Sequence, residues 1–156
     1  MNDQLIVLLQ QAKAQWGIET VTAIRNRINE IGLIWQSTLV NSIGFSQDDT
    51  LDGNITFKMA EYGKFLDEGV NGTNTTYNSP YQFKGNYKGT AMAIQEWANS
   101  KNLNNWAVAR SIQKKGLEPR RFYNSVIESR IPELATKLEG AYRTYLDGLI
   151  NRQQNP

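Results

Sequence analysis

Two stretches of the chain carry a helical apolar period, and a shorter stretch between them carries a strand period. Val21, Ile24, Ile28, Ile31 and Trp35 step by three and four, one stripe down a helix, with Arg25, Arg27 and Glu30 off it. Ahead of that stripe Leu5, Leu8, Leu9, Ala12 and Trp16 share a side of residues 3–16, and Gly17 is expected to separate the two helices. Towards the other end Ile131, Leu134, Leu138, Tyr142, Tyr145 and Leu149 mark a long C-terminal helix, expected to kink or restart at Pro132. In between, Ile43 and Phe45, then Ile55, Phe57 and Met59, alternate with polar residues on either side of "SQDDTLDGN". That pattern predicts an antiparallel hairpin.

Shorter helices fill the rest. Residues 60–69 read as one, with Tyr62, Phe65 and Leu66 inward and Gly69 at its end. Thr90 is the expected N-cap of "AMAIQEWANSKN", with Met92, Ala93, Ile94 and Trp97 inward. Asn104 or Asn105 caps "WAVARSIQKKG", and Gly116 suits the position after it. Pro119 is placed near the start of "RRFYNSVIESR". The fold class is α+β: a small antiparallel sheet, near residues 43–59, packed by long N- and C-terminal helices and several short ones. Residues 1–150 read as a single domain and 151–156 as a polar tail.

One segment does not fit the periodic scheme. Residues 71–88 are rich in Asn, Thr, Gly and Ser, yet contain Tyr77, Tyr81, Phe83 and Tyr87. A connection of that length is usually functional or disordered, and aromatic residues argue against disorder. The loop is expected to become ordered against its own domain or a partner. If a partner, these four residues form the subunit interface and the loop reaches outward.

Composition removes whole classes of chemistry. With no Cys and no His, thiol catalysis, imidazole general bases and thiolate or histidine metal sites are unavailable to the chain. Glu61, Asp67 and Glu68 lie on or beside one short helix. A glycosidase pair needs carboxylates opposed across about 5–10 Å, so a solvated helix face is the better reading. Asp48, Thr50, Asp52 and Gly53 match early positions of a calcium loop, but Met59 stands where the bidentate Glu belongs. Turn chemistry is therefore expected there. No cofactor or metal is implied, and enzymatic activity is not expected. No apolar run suits a membrane span or a signal peptide, so the chain is expected in the cytosol, away from membranes. The Asn-x-Thr triplets at Asn54, Asn71 and Asn74 are then compositional, not glycosylation sites. The net charge of +2 does not mark a dedicated nucleic-acid binder. A local cluster, Arg110, Lys114, Lys115, Arg120 and Arg121, is a candidate contact for DNA phosphates or an acidic partner. The alternative is ordinary helix-terminus and surface charge.

The serial order of these pieces carries a resemblance. A Leu-x-x-Ser-Ile segment occupies Leu39 to Ile43. A Tyr-x-x-x-Leu-acid-x-Gly segment follows at Tyr62, Gly63, Phe65, Leu66, Asp67 and Gly69. Trp97, Ala98, Leu103, Val108, Ala109, Arg110, Ile112 and Gly116 form a third block. Glu118, Pro119, Arg120, Arg121, Phe122 and Tyr123 then open the last helix. Over residues 20–150 this order resembles the neck, head–tail joining and tail-completion (minor tail) proteins of tailed bacteriophages. The resemblance implies a structural virion protein, assembled in the host cytoplasm into a homo-oligomeric ring between portal and tail. Its partners would be copies of itself, the portal, adjacent neck or tail proteins and, non-specifically, packaged DNA. A dodecamer is favoured over a hexamer by family habit. A tail-completion protein capping the tail tube is the neighbouring alternative, and a small basic-patch DNA-binding protein the alternative from another class.

Overall fold

Gly17 does not end the first helix. In the computed structural model, which describes residues 2–33, 37–83 and 88–154, α1 (Asn2–Glu30) runs unbroken through it. The glycine serves packing instead: a Cβ there would lie 2.3–2.6 Å from atoms of the Phe45 ring. Glycine costs a helix interior about 1 kcal/mol, and here it lets an aromatic ring lie directly on the backbone. Trp35, the end of the predicted stripe, lies outside the described residues.

The hairpin forms as the alternation predicts. β1 (Gly44–Gln47) pairs antiparallel with β2 (Ile55–Lys58), and Phe45 is opposite Phe57. Their ring centroids are 6.2 Å apart, and Phe57 meets Trp16 edge-on at 5.5 Å. In the turn between the strands, Asp48 Oδ2 accepts from the Asn54 N–H at 3.2 Å. The carbonyls of Gly53, Leu51 and Thr50 accept from the Lys13 ammonium at 2.8, 3.3 and 3.5 Å. Lys13 is only 7% exposed. The calcium-like turn is thus satisfied by an internal cation from α1. Lys13→Met keeps the stem and removes the charge-assisted bonds, so a loss of about 1–2 kcal/mol is expected. Denaturant unfolding measures the loss, and faster amide exchange confined to residues 48–54 shows its place.

The core gathers Val21, Ile24 and Ile28 of α1, Leu33, Leu39 of α2 (Ser37–Ser42), Ile43 and Phe122. Each such side chain contributes roughly 1.5–3 kcal/mol on full burial. Arg25, off the apolar stripe, donates to the Ile43 and Val40 carbonyls at 2.9 and 3.3 Å and so tethers the end of α2. α7 (Asn124–Gln154) runs antiparallel along α1 and contains Pro132 without interruption. Pro132 and Glu128, whose carbonyl loses its intrahelical donor, are both exposed residues, where an unpaired carbonyl costs least.

The two long helices are cross-linked by a polar seam. Trp16 Nε1 donates to the Arg130 carbonyl at 2.8 Å, and Arg130 Nε donates to Thr20 Oγ1 at 3.1 Å. Glu19 meets Arg130 at 3.4 Å and Lys137 at 3.2 Å. The Glu19 carboxyl is held below its ordinary 4.5, first by the Gln15 amide, then by Lys137 and Arg130. A depressed carboxyl pKa means the seam's contribution is present above 4.5 and fades as pH falls through the lower folded value.

Four of the six periodic positions of α7 are covered. Leu134, Leu138, Tyr145 and Leu149 are buried or half-buried, but Ile131 and Tyr142 are exposed. The covered side runs instead through Arg130, Leu134, Ala141 and Tyr145. The predicted polar tail is also corrected, because residues 151–154 continue α7. Pro119 lies ahead of the helix rather than in its first turn.

Helix α3 (Gly63–Glu68) packs Leu66 against the core, and a second group of helices packs together: α4 (Lys88–Ala93), α5 (Gln95–Ser100) and α6 (Asn105–Lys115). Helix α4 begins before Thr90, so Thr90 is not its cap. Met92, expected inward, is 64% exposed. Among the described residues of α4, α5 and α6 the buried positions are alanines, Ala91, Ala98 and Ala109, whose small side chains let these short helices approach closely. Asn104 caps α6, its side chain accepting from the Trp106 and Ala107 N–H groups at 2.9 and 3.1 Å. The architecture is α+β, with a two-stranded antiparallel sheet between long terminal helices and a cluster of short ones.

Candidate assembly surfaces

The loop after α3 folds back on its own chain. Asn71 organises it: its N–H donates to the Tyr81 carbonyl at 2.8 Å and its carbonyl accepts from the Phe83 N–H at 3.0 Å. Its side-chain oxygen accepts from the N–H groups of Tyr77 and Ser79 at 2.8 and 3.2 Å. The base of the loop is pinned to the end of α6. Thr73 and Asn74 donate to the carbonyls of Gln113 and Lys114, and Val70 bridges Leu117. Gly72 and Gly116 make that approach possible, since a Cβ on Gly116 would lie 2.6 Å from the Gly72 nitrogen.

The aromatic residues follow the loop inward. Tyr81 meets Phe65 edge-on at 4.9 Å, with the Lys64 ammonium 5.0 Å from the Phe65 centroid and 5.9 Å from that of Tyr81. Burial pushes the Tyr81 hydroxyl up, helped by the charge and hydrogen bond of Glu68 and opposed by Lys64. Tyr77 and Phe83 are half-buried. The outward-reaching arm is therefore corrected for residues 71–83, because Asn71 and the α6 terminus satisfy its polar backbone internally. Tyr87 lies outside the described residues.

Asp67 is the residue that sequence reasoning misplaced. It is 2% exposed rather than part of a solvated face. Oδ1 accepts from the Tyr123 N–H at 2.8 Å and Oδ2 from the Asn124 N–H at 3.1 Å, so the carboxylate caps the start of α7. Both oxygens are committed to that cap, which leaves the neighbouring Glu68 to bond Asn124 Nδ2 at 3.2 Å. One of two adjacent acids at the end of a six-residue helix gives no sequence signal for a cap on a helix more than fifty positions away.

The basic residues fall on two neighbouring stretches of chain, the end of α6 and the segment that leads into α7. Lys114 and Lys115 close α6, where its dipole favours cations, and Arg110 precedes Lys114 by one turn. Past Gly116 the chain carries Arg120 and Arg121, held by N–H bonds to the carbonyls of Leu66 and Asp67 at 2.9 and 3.1 Å. Arg121 has a φ of 49°, in the left-handed region that is rare for a side-chain-bearing residue. All five are exposed, and among the described residues Lys114, Lys115, Arg120 and Arg121 stand outside any ion pair.

Two apolar patches were not singled out from the sequence. One is the outer row of α7, where Ile131, Tyr142, Leu146 and Ile150 keep 45–53% of their surface. Ala135 and Leu138 bridge the row at helical spacing. The other joins Met92 on α4 with Leu103 and Trp106 at the entry to α6. There the Asn105 side chain donates to the Ala91 carbonyl at 3.1 Å and ties α6 to α4. The apolar spacing along α7 was visible, but which positions its partner helix covers depends on the crossing with α1. Among the described residues no acidic group is arranged to hold a metal, and no helix is long and apolar enough to cross a membrane. No family model matches this chain, and neither a curated protein nor a solved structure matches it.

Proposed function

We propose that the chain is a structural subunit of a tailed-phage neck, a head–tail connector that closes into a ring between portal and tail. The observation that carries the reading is the pair of apolar patches on different elements, α7 and the α4–α6 corner. A ring repeats one heterologous contact, so each copy must offer two unlike surfaces. Exposed apolar side chains gathered on one helix face suit a contact with another protein. The motif residues that carry the resemblance fit a structural role. Leu39, Ile43 and Phe122 meet in the core, Asp67 caps α7, and a Cβ on Gly69 would lie 2.5 Å from the Leu117 carbonyl. They build the frame and leave function to the surfaces.

Concentrated pure protein is expected to form closed rings with an axial opening, seen by electron microscopy and as a discrete heavy species in sedimentation velocity. A chain that stays monomeric, or stops at a two-fold dimer, at every concentration counts against a ring subunit. A second reading has its own support in the exposed cations at positions 110, 114, 115, 120 and 121: a DNA-binding accessory protein. Retardation of duplex DNA with a steep salt slope, from protein that forms no ring, would move the assignment there.

A further inference from the structure

We propose that Asn71 is a site of spontaneous deamidation that the closed loop holds back, and that the reaction makes the loop a one-way latch on residues 71–83. Asn71–Gly72 is the one Asn-Gly pair in the chain. Asn is a chemically labile residue, and no side chain on Gly72 shields its backbone nitrogen from the Asn71 amide. The Gly72 nitrogen gives its proton to hydroxide and attacks Asn71 Cγ. The new N–Cγ bond closes a cyclic imide, while Nδ2 takes a proton from water and leaves as ammonia. Water then opens the ring on either side of its nitrogen. The product is aspartate at position 71, or its isoaspartyl isomer with one more carbon in the main chain.

The fold requires both members of this reactive pair. A Cβ on residue 72 would strike the Gly116 nitrogen and the Lys114 carbonyl, so glycine must stand there. Asn71 uses its amide at both ends. Oδ1 accepts from the Tyr77 and Ser79 N–H groups at 2.8 and 3.2 Å and from Thr76 Oγ1 at 3.2 Å, while Nδ2 donates to the Ser79 carbonyl at 2.8 Å. Donors against one end and an acceptor against the other fix the amide's orientation. The same bonds hold the reaction back. They keep Cγ from swinging over the Gly72 nitrogen, whose N–H is itself given to the Thr75 carbonyl at 2.8 Å. Opening the loop removes both restraints together. A carboxylate at position 71 has no donor for the Ser79 carbonyl and sets a negative oxygen against it. The isoaspartyl form also lengthens the backbone between the groups that bond Tyr81 and Phe83. Either product leaves Tyr77, Tyr81 and Phe83 released.

The full chain is kept in warm, mildly alkaline buffer beside the same chain unfolded in urea and the Gly116→Val variant. Conversion at position 71 is followed by peptide mass mapping. The folded parent is expected to convert at least about tenfold more slowly than the unfolded chain, and the variant to approach the unfolded rate. Converted parent, separated by its added negative charge, should be cut by chymotrypsin at Tyr77, Tyr81 and Phe83 while unconverted parent resists. Equal conversion of folded and unfolded parent, or a Gly116→Val chain no faster than the parent, overturns the gating. Equal susceptibility of converted and unconverted parent to chymotrypsin overturns the latch.

Discussion

Asp67→Ala is expected to lower the free energy of unfolding by about 3 kcal/mol, read as a fall in urea midpoint at unchanged slope. The carboxylate is buried and accepts from two backbone N–H groups that open α7, at 2.8 and 3.1 Å. Each donor left without an acceptor in a part-buried setting costs roughly 1–3 kcal/mol. The helix also loses a negative charge beside its positive end. Asp67→Asn should fall between alanine and the parent, because one amide oxygen still accepts while the amide nitrogen faces the second N–H. Exchange locates the effect: the amides of residues 120–127 should lose protection first, since Arg120 and Arg121 hang from the carbonyls of Leu66 and Asp67. A midpoint shift worth less than about 1 kcal/mol, with exchange unchanged at 120–127, would show that the carboxylate does not hold α7. The same cap presents Arg120 and Arg121, so its loss should also disorder that surface.

The elements that could be read from the sequence are those whose signal is local. The hairpin followed from strict alternation around a turn-rich run, and the α6 cap from an Asn directly before an apolar helix. What failed was set by distant partners. Gly17 reads as a helix breaker until the Phe45 ring is seen lying on it. Asp67 reads as a surface acid because the N–H groups it serves come from residues 123 and 124. The turn at residues 48–53 reads as a weak calcium loop because its cation, Lys13, arrives from a helix about forty residues earlier. The candidate surfaces divide in the same way. The basic residues lie within twelve positions of one another and are exposed, as a sequence can show. The α7 row and the Met92 corner depend on which flank a neighbouring helix covers, and the loop's inward course depends on a junction of two glycines.

That junction gives the second large effect. Gly116→Val is expected to cost about 3 kcal/mol and to release residues 71–83 from the body. Gly116 sits at φ 73°, where a β-branched residue is strained. Its Cβ would also lie 2.2 Å from the Val70 carbonyl oxygen, which is backbone and cannot rotate aside. The chain must then part between Gly72 and Gly116, which breaks the Val70–Leu117 bridge and the bonds from Thr73 and Asn74 to the end of α6. Chymotrypsin reads this directly, because the loop carries Tyr77, Tyr81 and Phe83 and no basic residue for trypsin. The parent should resist cleavage there, and the variant should be cut at those aromatics while α1 and α7 persist. Gly140→Ala is the control: a Cβ at Gly140 meets nothing within 4 Å, so an exposed helix position should gain up to about 1 kcal/mol with cleavage unchanged. If the parent loop were cut as fast as the Gly116 variant, the segment would not be folded against its own body. The aromatic residues would then return as candidates for a contact between subunits, in competition with the two apolar patches.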